Sequence, residues 1–320
     1  MHGCFATLPK PYLALAPMAD VTDAAFRAMF LRYGKPDLLW TEFVSADGLY
    51  HTREIQKRPD EENPLMLDLR YDAREHPIVA QIFSAVPEAV AYASALLVEL
   101  GFDGVDINMG CPDKSVEKQG AGAALMKHPE HARELIRAAK RGTAGAIPVS
   151  VKTRVGYNTP ALETWLTALM AEEPTAITVH ARTRKEMSLV PARWEHVADA
   201  VRLRDRLGVH THIIGNGDVV SREDAYARAR ESGADGVMVG RGVFGNPWFF
   251  SGHMPSTEER LAALREHVLL FEALCPHKHF SVMKKHFKAY IHGYAGAAAL
   301  RERLMQCESA REVADVLQAP

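Results

Sequence analysis

In the stretch Gly104-Val-Asp-Ile-Asn-Met-Gly-Cys-Pro112, Val105 and Ile107 read as the inward residues of a short buried strand. Asn108, Gly110 and Cys111 are expected in the loop just past its carboxyl end. Pro112 and the glycine-rich Gly120-Ala-Gly122 follow, a setting that presents the Cys111 thiol to a ligand. The alternative is a buried structural cysteine, since free Cys is among the most buried residue types.

Other strand-like segments end in a similar way. The first ends in Pro17-Met18-Ala19, the second in Glu42, and the third carries Gln81. The fifth carries Lys152 and Arg154, and the sixth ends at His180 with Arg182 beyond it. The seventh ends in Gly215-Asn216-Gly217-Asp218 and the eighth in Gly240-Arg241-Gly242. One polar strand end means little, but amides, cations, an imidazole and glycine turns converging over an apolar core suit a ligand.

The glycine turns suggest a phosphate. Small residues let backbone N–H groups approach phosphate oxygens, and a helix start adds partial positive charge. Asn216, Gly217, Gly240 and Arg241 fit that demand, with Arg241 able to contact the anion in a fork, and Asp218 of the same turn is expected in the cofactor site. The remaining groups suit a flavin. Gln81 can read the pyrimidine edge of an isoalloxazine, Lys152 can meet the negative charge that reduction builds there, and His180 can support ring or substrate. Lys152 as the Schiff-base lysine of an aldolase-type barrel is the competing reading, although no paired acid and base are evident around it.

The elements that must position these groups follow from the pattern of apolar runs. Strands are expected at Tyr12–Ala16, Leu38–Thr41, Ile78–Ile82, Gly104–Ile107, Val149–Thr153, Ala176–His180, His212–Gly215 and Gly236–Val239. Helical patterns fall at Asp23–Tyr33, Pro87–Leu100, Pro129–Arg141, Ala161–Glu172, Trp194–Leu207 and Ser221–Ser232, several opened by a cap or an N1 proline: Thr22, Pro87, Pro129 and Ser221. Strands alternating with helices imply a parallel sheet, and eight units over about 240 residues imply a (β/α)8 TIM barrel with its site at the carboxyl ends of the strands. An open doubly wound sheet is disfavoured by the count and by the missing glycine fingerprint after the first strand. A catalytic domain over residues 1–250 is therefore expected, followed by a small all-helical domain over 251–320. In the latter, Phe280, Met283, Phe287, Tyr290, Ile291 and Tyr294 recur at three and four and predict one apolar helix face.

Net charge is −2, so no global field advertises a nucleic acid, and such a partner needs a local patch. Residues 276–303 supply one, with six Lys/Arg against the single carboxylate Glu302. Lys284, Lys285, Lys288 and His292 are expected opposite the apolar face, as an anion-binding surface or simply a solvated one. The four cysteines at 4, 111, 275 and 307 lack CxxC spacing, which argues against disulfides and against zinc. No secretory signal and no spanning segment are evident. A reduced, cytoplasmic, metal-free monomer is expected.

The order Ala16-Pro17-Met18-Ala19-x-x-Thr22-Asp23, Thr41-Glu42, Gln81-Ile-Phe83, Asp106-Ile-Asn108-x-Gly110-Cys111-Pro112 and Val151-Lys152-x-Arg154 resembles the tRNA-dihydrouridine synthases. So do Val179-His180-x-Arg182-Thr183, Gly215-Asn216-Gly217-Asp218 and Gly240-Arg241-Gly242. The likeness runs from about residue 12 to 300, and Lys284-Lys-His-Phe-x-x-Tyr290 is similar to the family's helical tRNA-binding domain. The resemblance implies FMN, reduced by NADPH, passing hydride to C6 of a uracil ring in tRNA, with Cys111 as the acid at C5. It also implies that Asn108, Lys152, Arg154, His180 and Arg182 hold the uracil and the flavin, and that Pro17, Met18, Ala19 and Gln81 belong to the flavin site. The charged stretches Asp113–Gln119 and Arg182–Met187 depart from many members and bear on which uridine is presented. A flavin barrel acting on a free pyrimidine, similar to dihydroorotate dehydrogenase, and a non-catalytic tRNA-binding factor are the competing functions.

Overall fold

The computed structural model describes residues 3–318. The eight apolar runs form eight parallel strands: β1 (Tyr12–Leu15), β2 (Leu39–Ser45), β3 (Ile78–Phe83), β4 (Gly104–Met109), β5 (Val149–Arg154), β6 (Ala176–His180), β7 (His212–Asn216) and β8 (Gly236–Val239). They are rich in Val and Ile and buried on both faces, as parallel strands under helices must be. Hydrogen-bonded neighbours follow the order β1-β8-β7-β6-β5-β4-β3-β2. A parallel bridge between Ala14 and Leu38 joins the two ends, with the Leu15 N–H donating to the Leu38 carbonyl at 3.1 Å. The sheet is thus a closed barrel.

Helices α1 (Ala24–Tyr33), α2 (Ala46–Tyr50), α3 (Pro64–Asp68), α4 (Pro87–Glu99), α5 (Lys114–Lys118), α6 (Pro129–Thr143), α7 (Leu162–Met170), α8 (Glu195–Leu207) and α9 (Arg222–Ser232) connect the strands. Between β2 and β3 the connection is broken into α2, a π-helical turn (His51–Ile55) and α3, in a stretch without a helical pattern of apolar residues. Ser221 caps α9 by accepting from the Asp224 N–H at 3.0 Å. The cap of α1 is Asp23 and not Thr22: Asp23 accepts from the Phe26 N–H at 2.8 Å. The Thr22 hydroxyl instead accepts from the Met18 N–H at 2.9 Å and shapes the loop after β1.

Two strand boundaries differ from expectation. Asn108 lies within β4 and not in the loop beyond it, and Glu42 lies within β2 instead of ending it. At the amino ends of the strands, Phe5 closes the barrel floor against Tyr12, Trp40 and His212, with ring centroids 6.1–6.4 Å apart. The carboxyl ends form the open mouth.

Residues beyond the barrel form α10 (Thr257–Leu274), α11 (Lys284–Tyr290), α12 (Ala297–Met305) and α13 (Ala310–Gln318). Their core includes Val268, Phe271, Met283, Phe287, Tyr290 and Leu304, together with Trp248 and with Ala25 and Met29 of α1. The expected apolar face is real but shorter than one helix. Phe280–Met283 is a 3-10 turn, α11 stops at Tyr290, and Tyr294 lies beyond its end. Lys278, ahead of that turn, reaches Glu42 at 2.6 Å and Asp68 at 3.2 Å, joining the helical segment to the barrel mouth.

Candidate active site

At the mouth, the ends of β1, β5, β6, β7 and β8 surround a cavity of about 610 Å³. The expected site residues Pro17, Met18, Lys152, Arg154, His180, Arg182, Asn216, Gly217, Asp218, Gly240 and Arg241 all line it. Parallel register puts them level, since Arg154 pairs with His180 and His180 with Asn216 across adjacent strands. Among the described lining residues there are four Lys or Arg and the single carboxylate Asp218. The cavity is therefore electropositive and suits an anionic ligand.

Asp218 organises the cations. It accepts from Arg182, from the Ala192 N–H at 2.8 Å and from Arg241 at 2.9 Å. Burial pushes its carboxyl up, but these partners outweigh burial and hold it below the ordinary range. Arg182 also donates to the Val190 carbonyl at 2.6 Å and to Nε2 of His180 at 3.3 Å. Because Arg can only donate, Nε2 of His180 is the acceptor and its proton sits on Nδ1. Burial, and then the charges of Arg154, Lys152, Arg182 and Arg241, keep this imidazole neutral, well below the usual histidine range. Burial and the Arg154 charge pull Lys152 down to about 8.

Two glycines make room on the β7–β8 side. Gly217 has φ +127°, and a Cβ there would meet Ala192 at 2.8 Å and the His180 ring at 3.2 Å. A Cβ on Gly242 would lie 2.2 Å from the Val219 carbonyl oxygen. A 3-10 turn (Arg241–Val243) follows β8 directly. Bare backbone, a short helical start and an exposed Arg241 are the donor set a phosphate takes.

Cys111 is partly buried and does not itself line this cavity. The Gly110 carbonyl accepts from Nε of Arg154 at 2.8 Å, tying the loop to a cavity-lining side chain. Burial raises the thiol above its ordinary range even though Lys152 and Arg154 pull it down, so at neutral pH it holds its proton. Burial also pushes Asp106 up to about 6, where it accepts from Gln81 at 2.6 Å and from Ser150 at 2.5 Å.

Four expected cofactor or substrate residues have other surroundings. Gln81 is fully buried, with its amide between Asp106 and Asn108 instead of open to the cavity. Asn108 gives its carbonyl oxygen to the N–H groups of Gly110 and Cys111, at 3.1 and 2.9 Å. Ala19 is exposed and stands next to the cavity-lining Met18. Lys284 is paired with Glu308 at 2.5 Å and so is not a free cation. Lys285 and Lys288 are exposed, and Lys285 lies 4.0 Å from Asp20 in the loop after β1, which brings α11 to the edge of the mouth.

Sequence reasoning missed Ser188, Val219 and Val220, which also line the cavity, as does Met187 of the stretch after β6. Each lies within eight residues of a strand end already singled out, and that proximity was the only signal available. A larger cleft of about 840 Å³ lies between α1 and α10, with many aliphatic lining residues and acids mixed among its arginines, as where Arg74 pairs with Asp72 at 2.7 Å. It lacks the convergent cations of the mouth. Among the described residues no group of three His, Cys, Asp or Glu is arranged to hold a metal ion, and no helix is long and apolar enough to cross a membrane.

Residues 14–320 match the family model described as dihydrouridine synthase. A probable tRNA-dihydrouridine synthase of Staphylococcus epidermidis is 38% identical over 323 residues, covering 98% of this chain and 96% of the relative. Probable tRNA-dihydrouridine synthase 2 of Bacillus subtilis is 38% identical, covering 97% and 94%. A Staphylococcus aureus relative is 37% identical, covering 98% and 94%. Among solved structures, histamine dehydrogenase from Rhizobium sp. 4-9 matches with a TM-score of 0.55 at 12% identity, over 81% of this chain and 49% of that one. That likeness concerns the fold, and this chain spans about half the length of that protein.

Proposed function

The chain belongs to the dihydrouridine synthase family, and on that premise we propose that it reduces the C5=C6 bond of uridines in tRNA, with FMN in the mouth cavity and NADPH as reductant. This is an oxidoreductase acting on a CH–CH bond. The observation that carries the reading is the meeting, at one cavity, of a phosphate-type donor set, a cationic lysine and a protonated thiol next door.

The residues fit FMN. Arg241 and the bare backbone at Gly217 and Gly242 would hold its phosphate, and the loop Pro17-Met18-Ala19 would lie along the ring. When bound, FMN supplies the hydride that C6 receives. Lys152, cationic at neutral pH, would offset the negative charge that reduction builds on the flavin. Neutral His180, with its proton on Nδ1, offers a donor without adding a fifth charge. Arg154 and Arg182, which line the cavity, would meet the uracil carbonyls. Cys111 delivers its proton to C5, for which a thiol held in the protonated form at pH 7 is suited. Gln81 and Asn108 also have a structural part: their amides run from Asp106 to the Cys111 turn and fix its shape.

A uridine stacked in folded tRNA must be extruded to reach the mouth, at a cost of a few kcal/mol. Residues 251–320, through Lys285 and Lys288, would offset that cost by phosphate contacts, with residues 1–250 as the catalytic unit. The working form is read as a cytoplasmic monomer. The test is direct. Purified protein should carry flavin absorbance and, with NADPH, form dihydrouridine in unmodified tRNA. Colourless protein that leaves tRNA unchanged would overturn the proposal.

A further inference from the structure

The segment after Cys111 is unusually charged, and the structure gives one of those charges a partner. Asp113 caps α5 by accepting from the Ser115 N–H at 2.7 Å, and Glu117 stands one turn on. Nε of Arg184, in the loop after β6, donates to both carboxylate oxygens of Glu117, at 2.9 and 3.1 Å, and Nη2 makes a further contact. The pair is largely withdrawn from solvent, with side chains 26% and 10% exposed for Arg184 and Glu117. A forked, charge-assisted contact of this kind is stronger and more directional than an ordinary surface ion pair.

The loop between β5 and α7 lies against both of these segments. The Tyr157 ring has Nζ of Lys127, from the cysteine side, 3.8 Å from its centroid, and the Arg184 guanidinium at 5.1 Å. The Arg184 and Lys185 N–H groups donate to the Gly156 and Tyr157 carbonyls, each at 2.9 Å. At the root of the cysteine loop, Arg154 bonds both Gly110 and the Thr183 carbonyl, the latter at 3.2 Å. The loop after β6 in turn supplies Met187 and Ser188 to the cavity wall.

We propose that Glu117 and Arg184 are positioning residues that clamp the cysteine loop to the loop after β6 and so keep the Cys111 thiol seated beside the cavity. The proposal rests on the reading of Cys111 as the proton donor. Neither residue lines the cavity, so both act through the loop.

The experiment follows alkylation of Cys111 by iodoacetamide, resolved by peptide mass spectrometry, alongside steady-state turnover of tRNA. Arg184→Met and Glu117→Gln should each speed alkylation and lower kcat by about five- to tenfold, with KM for tRNA and flavin reduction by NADPH unchanged. Faster alkylation is opposite to the electrostatic effect of Arg184→Met, since removing a nearby cation disfavours the thiolate. Arg184→Lys should recover part of the loss, and the exchange Glu117→Arg with Arg184→Glu should restore both readouts. Wild-type alkylation and kcat in the single variants would overturn the clamp, as would an exchange variant as defective as the singles. Should the wild-type protein make no dihydrouridine, the proposed function falls, and the alkylation contrast still decides the clamp.

Discussion

The side-chain oxygen of Asn108 accepts the backbone N–H of Cys111 at 2.9 Å, so the last polar residue of β4 shapes the turn that presents the thiol. The thiol itself is held by its backbone and by burial. Cys111→Ala should therefore leave flavin content and tRNA affinity intact while turnover falls by roughly 10²–10⁴-fold, the usual contribution of a general acid. Single-turnover kinetics with pre-reduced enzyme would measure this, and full turnover at neutral pH would remove Cys111 from the mechanism.

Lys152, pulled down to about 8, is cationic below that pH and loses its charge as pH rises through it. Turnover that depends on the charge should fall above pH 8, well before an ordinary lysine titrates. Lys152→Arg should move the fall to higher pH. Lys152→Met should be slow at every pH and show no step. A wild-type profile flat to pH 10 would mean that the lysine's charge is not used.

The same displacement has a cost for the fold. Below pH 8 the unfolded and folded lysines are both charged, and burial penalises only the folded one. Between about 8 and 10.5 the unfolded chain binds more protons, so stability rises with pH there. The full effect is on the order of 3 kcal/mol. Lys152→Met should melt higher than wild type near pH 7 in flavin-free protein, with the advantage shrinking toward pH 10. Calorimetry across that range checks both points.

Arg241 is exposed and shares Asp218 with the buried Arg182. Its removal takes a charge-assisted partner from an anion, worth about 1.5–3 kcal/mol, or one to two decades of affinity. Arg241→Ala should lose flavin on dialysis while keeping its melting temperature, because Arg182 still neutralises Asp218. Retained flavin would place the phosphate elsewhere on the mouth.

On α11, Lys285 and Lys288 are the exposed lysines, Lys285 only loosely held by Asp20 at 4.0 Å, whereas Lys284 is paired with Glu308 at 2.5 Å. Glutamate at both positions should weaken tRNA binding and flatten the dependence of log affinity on log salt by roughly 0.7–0.9 per lost contact. Lys284→Ala should change neither quantity. An unchanged salt slope in the double variant would mark the face as merely solvated and route the tRNA past other exposed cations such as Lys185.

The barrel was legible because Val- and Ile-rich runs separated by helical periods leave few alternatives, and register then delivers strand-end residues to one mouth. Lys152, Arg154, His180 and Arg241 could be placed by that reasoning alone. Gln81 and Asn108 could not. Their positions point to a ligand, but a carboxamide is satisfied by whichever partner comes within 3 Å, and Asp106 supplies one from the neighbouring strand. The surroundings of Lys284 were hidden for a similar reason. Its partner, Glu308, lies 24 residues away in a segment where helical phase gives no contact information.

The barrel ring is joined at its last gap by one short bridge, Ala14 to Leu38, whereas every other neighbouring pair shares a longer ladder. Helix α1 spans that seam, and its outward residues Ala25 and Met29 are covered only by the core of α10–α13. Lys278 crosses to Glu42 on the far side of the same gap. The carboxyl-terminal helices are thus less a module hung on a finished barrel than a buckle drawn across its join. Cutting the chain at residue 250 should loosen the barrel before it frees a nucleic-acid-binding piece.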